Sequence, residues 1–326
     1  MSGIIRLSGL DHVPASLRRG VVAIGNFDGF HRGHQQVFSV IREQARRRGV
    51  AAVVLTFEPH PRDVFAPQPV MFRLTGVDAK AELAAALDLD GLVVMPFSRD
   101  FSQIEAEDFV SRFLVGALDV SQVVVGKDFH FGRQRRGTPA FLRQAGIEHG
   151  FAVETLDLVA EDAGPISSSR IRAALSRGGL GEANQLLGYH WFISGKVVVG
   201  DRRGRLLGFP TANIATPPVF DLAQGVYAVK VRLGERLFDG VASYGKPMFD
   251  NQQPPFETYL FDFDEEIYGE TLEVALISHI RGQEMFDGLE ALTAAIARDS
   301  ARARDVLRTA TPLSDLDRRL GFFGDA

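Results

Sequence analysis

Between residues 21 and 156 the chain alternates short, Val-rich apolar runs with longer amphipathic stretches, and no other feature restricts its fold as much. Residues 21–24, 51–56, 92–95, 122–125 and 152–156 read as strands bounded by Gly, Pro or Asp. Residues 34–48 place Val37, Ile41 and Ala45 four apart, as on one face of a helix, and 78–87 and 105–118 have the same length and character. Alternating strand and helix give a parallel sheet with crossover helices. Runs that are apolar throughout, rather than at every second residue, predict a sheet covered on both faces.

Near residue 178 the pattern changes. Two short helices, 168–176 and 180–187, lead into strands at 191–199, 226–233, 237–243, 256–263 and 272–277 with no long helix between them. That reads as an antiparallel barrel. A last amphipathic helix over 288–308 is expected to pack on it, and 318–326 is a tail of no clear type. At about 150 residues per domain, the 326 residues predict two domains, divided here as 1–186 and 187–326.

Composition removes several function classes. The chain is 45% hydrophobic and 24% charged with a mean hydropathy of +0.01, which suits ordinary globular cores. Its 36 basic and 41 acidic residues leave a net charge of -5 and a pI near 5.9, so the field that would hold nucleic acid is missing, and no nucleic-acid partner is expected. Arg6 and Asp11 interrupt the start, and no run of about 18 apolar residues occurs. A cytoplasmic protein without a membrane partner is expected. The absence of cysteine excludes disulfides, thiolate nucleophiles and cysteine-ligated metals. Lys127, Lys196 and Lys246 follow glycines but precede Asp128, Val197 and Pro247, so no Gly-Lys-Ser/Thr phosphate loop exists. Any use of ATP is of another kind.

The segment Gly25-Asn26-Phe27-Asp28-Gly29-Phe30-His31-Arg32-Gly33-His34 lies between the first strand and the first helix, where open parallel sheets bind ligands. Free amides at the start of that helix attract phosphate. Imidazoles titrate near 6.5, so they donate hydrogen bonds to phosphoryl oxygens and, once protonated, neutralise charge growing there. The plainer alternative is a turn in which one histidine caps the helix and the other faces water. The pair, with Gly25, Gly29 and Gly33 at a strand end, favours a nucleotide site. Two further segments follow strands and are expected at the same edge: Thr56-Phe57-Glu58-Pro59-His60-Pro61, and Gly126-Lys127-Asp128 running on to Gly132. Each alone also fits an ordinary turn. In Ile166-Ser167-Ser168-Ser169-Arg170-Ile171-Arg172, hydroxyls precede a helix. Alone it is an N-cap with a solvated arginine; beside the histidines it is a loop able to hold pyrophosphate.

A second candidate site runs from Gly200 through Arg202, Arg203, Gly204, Arg205 and Gly208 to Pro210-Thr211-Ala212-Asn213. Glycines let backbone approach a phosphate, arginines supply charge, and Thr211 and Asn213 offer neutral oxygens on one side of an extended segment. Magnesium takes such hard ligands together with phosphate and water. A solvated basic hairpin loop fits these residues equally well.

The His31-x-Gly-His34 and Ile-Ser-Ser-Ser-x-x-Arg172 pair resembles the nucleotidyltransferase signature. The longer string from Gly25 is similar to the adenylyltransferase half of bacterial bifunctional riboflavin kinase/FMN adenylyltransferases, or FAD synthetases. Residues 56–61, 126–132 and 193–214 fit in the same order, so the resemblance covers nearly the whole chain. It implies an α/β fold: a nucleotidyltransferase-type, Rossmann-like parallel-sheet domain, then a small antiparallel β-barrel riboflavin kinase domain with a C-terminal helix. It implies phosphorylation of riboflavin to FMN and adenylylation of FMN to FAD, with ATP as co-substrate and Mg2+ as cofactor. His31 and His34 would serve the ATP phosphates, with Arg172, Ser167 and Ser168 on the leaving pyrophosphate. Gly25, Asn26, Phe27, Asp128 and His60 would touch ligand. Gly-Phe-Pro-Thr-Ala-Asn resembles the kinase hallmark, which assigns Gly200, Arg205, Gly208 and Pro210 to ATP or flavin, Thr211 and Asn213 to the metal, and Glu257 to the proton of the ribityl 5'-hydroxyl. Asp262, Asp264, Glu265 and Glu266 read only as a solvated turn. The chain departs from the family at Ser243-Tyr244-Gly245-Lys246-Pro247-Met248-Phe249, where Asn-Ile-Gly-x-x-Pro-Thr-Phe is usual. That departure leaves two alternatives to weigh: an adenylyltransferase with a degenerate kinase half, or a non-catalytic flavin-binding sensor.

Overall fold

The computed structural model describes residues 3–157, 160–161, 164–200, 208–245 and 256–324. The chain divides into two compact units, Met1–Ser168 and Ser169–Ala326.

The first unit is built on six parallel strands: β1 (Ile5–Ser8), β2 (Val21–Ile24), β3 (Ala52–Glu58), β4 (Gly91–Pro96), β5 (Gln122–Gly126) and β6 (Ala152–Leu156), in the order β1-β4-β3-β2-β5-β6. All five expected strands are present, joined by β1, whose alternation of Ile5 and Leu7 with Arg6 and Ser8 is an edge pattern rather than a continuous apolar run. Every residue of β2 and the first six of β3 are buried, as a sheet covered on both faces requires. Each fully buried Val or Leu contributes about 1.5–3 kcal/mol. The helices are α1 (Arg32–Arg48), α2 (Pro61–Phe65), α3 (Val77–Ala86), α4 (Ala106–Asp108, running on as a π-helix over Phe109–Ala117) and α5 (Pro139–His149). Helix α1 packs on β2 and β3 through Phe38, Ile41 and Ala45. It ends at Gly49, whose φ of 65° is left-handed, after three arginines that suit the negative end of its dipole. Because β2 lies between β3 and β5, the strand order reverses beside it, and the loops after β2, β3 and β5 emerge at one edge of the sheet. A two-residue pair, β7 (Ala160–Glu161) and β8 (Gly164–Pro165), precedes the end of the unit.

The second unit carries α6 (Ser168–Ser176) from its second residue and α7 (Leu180–Leu187), both with the expected bounds, then a closed antiparallel barrel. Its strands are β9 (Phe192–Val198), β10 (Ala212–Ile214), β11 (Gly225–Leu233), β12 (Arg236–Tyr244), β13 (Phe256–Leu260) and β14 (Thr271–Gly282), in the closed order β10-β13-β12-β11-β14-β9. Strand β13 stops three residues short of its expected end, because at Asp262 φ is 56° and the chain turns away. Strand β14 is longer than expected and pairs with both β11 and β9. Helix α8 (Leu289–Thr309) packs on β11, β12 and β14, burying Ala303 and Leu307 against Val226, Ala228 and Ile280. The tail contains α9 (Asp315–Arg319), whose buried Asp317 receives hydrogen bonds from the backbone N–H groups of His190 (3.0 Å) and Leu313 (2.8 Å) and lies 2.7 Å from His190 Nδ1. Among the described residues no helix is long and apolar enough to cross a membrane.

Candidate active sites

The turn after β2 places both histidines at the start of α1. His31 is the N-cap, its Nδ1 accepting the His34 backbone N–H at 3.4 Å, and the two imidazoles stack with centroids 3.5 Å apart and planes 18° apart. Capping is therefore part of the answer, but neither ring is thrown into water: His31 is buried and His34 half-buried. His34 Nδ1 is buried with no hydrogen-bond partner among the described residues, which is costly unless a ligand supplies one. Burial pushes the His34 imidazole well below its ordinary value of 6.5, and the charges of His31 and Lys80 push it further.

Two non-glycine residues of the turn, Phe27 (φ 43°) and Phe30 (φ 41°), are left-handed, a conformation that costs about 1–3 kcal/mol each and gathers at functional sites. Ring packing holds them there. Phe27 meets Phe38 at 4.9 Å and stands edge-on to His34 at 5.1 Å, while Phe30 meets Phe38 at 4.7 Å. A Cβ at Gly25 would lie 3.0 Å from the Phe27 ring, so the glycine leaves room for that aromatic.

Beneath the turn lies a polar frame that the sequence does not announce. The buried Asp28 carboxylate accepts the backbone N–H groups of Leu74 and Thr75, each at 3.0 Å, and Gly29 N–H donates to Thr75 Oγ1 at 2.9 Å. The Asn26 carbonyl accepts from Thr56 Oγ1 and from Lys80 Nζ, each at 2.9 Å. Asn26 is thus engaged here through its backbone. Glu58 is held by both Arg73 terminal nitrogens and by Lys80. Burial raises the Glu58 carboxyl, but the hydrogen bond from Arg73 and the charge of Lys80 outweigh it and hold the group below the usual carboxylate range. Burial pushes the Lys80 ammonium down, with the Glu58 charge opposing it.

The neighbouring segments fall as follows. His60 is buried at the end of the loop after β3, capping α2 through Nδ1, which accepts the Arg62 N–H at 3.2 Å. Asp128 is exposed just beyond β5, and its carbonyl meets His130 Nδ1 at 2.8 Å. Ser168 Oγ donates to the Asp28 carbonyl at 2.8 Å, and the Ile166 carbonyl lies 3.8 Å from where a Gly33 Cβ would be, so the Ile166–Ser167–Ser168 stretch borders the histidine turn. Arg172 falls in the second unit, on α6, where its carbonyl accepts from Ser176 Oγ at 2.9 Å.

In the barrel, Asn213 on β10 stands directly opposite Glu257 on β13, and Glu257 stands directly opposite Ser243 on β12. Paired residues point to the same face. All three are half-buried between fully buried neighbours, so amide, carboxylate and hydroxyl form one row on the outside of the barrel wall. Asn213 rests on Gly200, where a Cβ would lie 2.2 Å from its Nδ2. Thr211, Asn213, Gly200 and Pro210 line one cavity with the acidic turn Asp264–Glu266. That turn is exposed, and Glu265 pairs with Arg236 at 2.7 and 3.0 Å, but its place on the cavity rim went unread in the sequence. Gly208 is exposed with φ 84°. Arg205, with Arg202, Arg203, Lys246, Pro247, Met248 and Phe249, lies outside the described residues. The Thr211 hydroxyl and Asn213 amide oxygen, with a carboxylate across the strand, make a donor set that fits Mg2+ held jointly with phosphates.

Comparison with known proteins bears on both sites. The FAD synthetase family model matches residues 13–170, and the riboflavin kinase family model matches residues 187–307. The bifunctional riboflavin kinase/FMN adenylyltransferase of Escherichia coli K12 is 38% identical over 294 residues, covering 90% of this chain and 94% of that protein. The protein of the same description from Listeria monocytogenes is 38% identical over 288 residues, covering 87% and 91%. The crystal structure of a macrolide-efflux protein from Streptococcus pneumoniae superposes with a TM-score of 0.81 at 30% identity, covering 94% of this chain and all of that one.

Proposed function

The chain belongs to the family of bifunctional riboflavin kinases/FMN adenylyltransferases, and we propose that it runs its two reactions at the two sites built above. It phosphorylates riboflavin to FMN with ATP and adenylylates FMN to FAD with release of pyrophosphate. The functional division we assign is 1–186 for the adenylyltransferase and 187–326 for the kinase. ATP as substrate implies work in the cytoplasm, on small molecules rather than nucleic acid.

In the adenylyl transfer, an FMN phosphate oxygen bonds to the α-phosphorus of ATP as the bridge to the β-phosphate breaks. No covalent enzyme intermediate is required, so the protein's part is positioning and charge stabilisation. His31 and His34 take the ATP phosphates, while Ser167, Ser168 and Arg172 take the leaving pyrophosphate. Gly25, Phe27 and Asn26 shape the turn against the nucleotide, and Asp128 and His60 border it. In the empty site burial keeps His34 neutral; an arriving triphosphate favours the imidazolium by its charge. The observation that carries this assignment is the stacked imidazole pair at the start of α1, with one buried ring nitrogen awaiting a partner.

In the kinase step Glu257 accepts the proton of the ribityl 5'-hydroxyl as that oxygen bonds to the γ-phosphorus and the bridge to the β-phosphate breaks, releasing ADP. Gly200, Arg205, Gly208 and Pro210 cradle the nucleotide. Thr211 and Asn213 would hold Mg2+, which neutralises phosphate charge when bound. Asn213 opposite Glu257 supports this placement, since it brings the metal grip and the base onto neighbouring strands.

The experiment is incubation of the purified chain with riboflavin, ATP and Mg2+, followed by separation of the flavins. FMN should appear first and FAD after it, and both should stop when Mg2+ is withheld. Riboflavin and added FMN both left unchanged would overturn the reading.

A further inference from the structure

Lys80 lies on α3 with its side chain wholly buried, and its three protons have three acceptors: the Asn26 carbonyl at 2.9 Å, Thr56 Oγ1 at 3.2 Å and Glu58 Oε1 at 3.2 Å. Glu58 is gripped in turn by Arg73, with Nη1 2.8 Å from Oε2, and Arg73 Nε lies 3.8 Å from Asp28 Oδ1. Two cations and two anions make the cluster neutral. An apolar side chain of Lys80's volume would fill the same space without the desolvation cost of a buried ammonium. What it would not do is hold a backbone carbonyl. The cluster meets the turn after β2 at two points, the Asn26 carbonyl through Lys80 and the Asp28 carboxylate through Arg73, and the histidines follow within the same turn.

We propose that Lys80 is a positioning residue of the adenylyltransferase site, its buried ammonium fixing the Asn26 carbonyl to the end of β3 and thereby setting where the His31–His34 pair stands. The proposal rests on the reading that those histidines serve the ATP phosphates. Small displacements of such groups cost rate steeply, about a hundredfold for 1 Å. Kinase chemistry in the same chain serves as the internal control, because Lys80 and its partners belong to the first unit and the residues assigned to the kinase step to the second.

The test compares Lys80→Met, the charge-balanced pair Lys80→Met with Glu58→Gln, and His34→Ala, measuring FMN-to-FAD and riboflavin-to-FMN conversion separately. Both Lys80 variants should lose about 10–100-fold in kcat of FAD formation. Their KM for FMN and their FMN formation should stay within about twofold of the parent, a split that general destabilisation would not produce. In the single variant the His34 imidazole, followed by NMR, should titrate at higher pH, because the nearby cation is gone while Glu58 and Asp28 remain beside Arg73 and His31. FAD formation retained in either Lys80 variant, both conversions falling together, or failure of both variants to fold would overturn the proposal. If His34→Ala also leaves FAD formation intact, the site reading itself falls; if His34→Ala abolishes it and the Lys80 variants do not, only the role of Lys80 falls.

Discussion

The imidazole of His34 lies 3.5 Å from that of His31, stacked on it, and keeps a buried ring nitrogen without a partner among the described residues. In the proposed adenylyl transfer this pair, at a helix start, receives the ATP phosphates. His34→Ala should therefore lower FAD formation from FMN by about 10²–10³, as for loss of one preorganised charge-stabilising group, while FMN formation from riboflavin continues. Separate rate measurements with each flavin check both halves of the statement.

Stability in acid follows from the same ring. The folded pKa of His34 lies below its unfolded value of 6.5, so below 6.5 the unfolded chain binds the extra proton and the native state does not. Stability is full above 6.5 and falls progressively as pH drops toward the folded value. Melting of the first unit between pH 7.5 and 5.5 should shift downward more in the parent than in His34→Gln, which has nothing to titrate there. Equal shifts would mean that His34 is not held neutral.

In the barrel, Gly200→Ala puts a Cβ 2.2 Å from Asn213 Nδ2, and Asn213 must leave its place. The kinase step should lose about tenfold in kcat/KM, the size of a misplaced ligand contact, and adenylylation of supplied FMN should not change. Initial rates at varied ATP concentration measure it.

Much of this was legible in residue order. The five Val-rich runs became β2 to β6, and the His31–His34 and Thr211–Asn213 motifs sit at a strand end and on a barrel wall as their spacing suggests. Helix α5 was not legible, since Pro139-Ala-Phe-Leu-Arg-Gln-Ala-Gly-Ile-Glu-His149 buries only Leu142, Ala145 and Gly146 and leaves Ile147 exposed, which blurs its apolar face. The cluster of Asp28, Glu58, Arg73 and Lys80 was hidden for a different reason. Its members are scattered along the chain, and each alone looks like a surface charge; only the fold brings them into one neutral group in which Asp28 and Lys80 are buried and Glu58 and Arg73 half-buried. Likewise the Asp264–Glu266 turn reads as solvated, which it is, while its rim position depends on how β13 ends.

Glu257→Gln should reduce FMN formation by about 10²–10⁴, the range for losing a positioned general base. FAD formation from added FMN should persist, because the carboxylate opposite Asn213 belongs to the barrel.

The most direct measurement of a chain with two separate reaction sites mixes two singly disabled proteins. Supplied with riboflavin, ATP and Mg2+, His34→Ala alone should stop at FMN and Glu257→Gln alone should leave riboflavin, but the mixture should make FAD. FAD produced at the parent rate by either variant alone, or none produced by the mixture, would contradict the account.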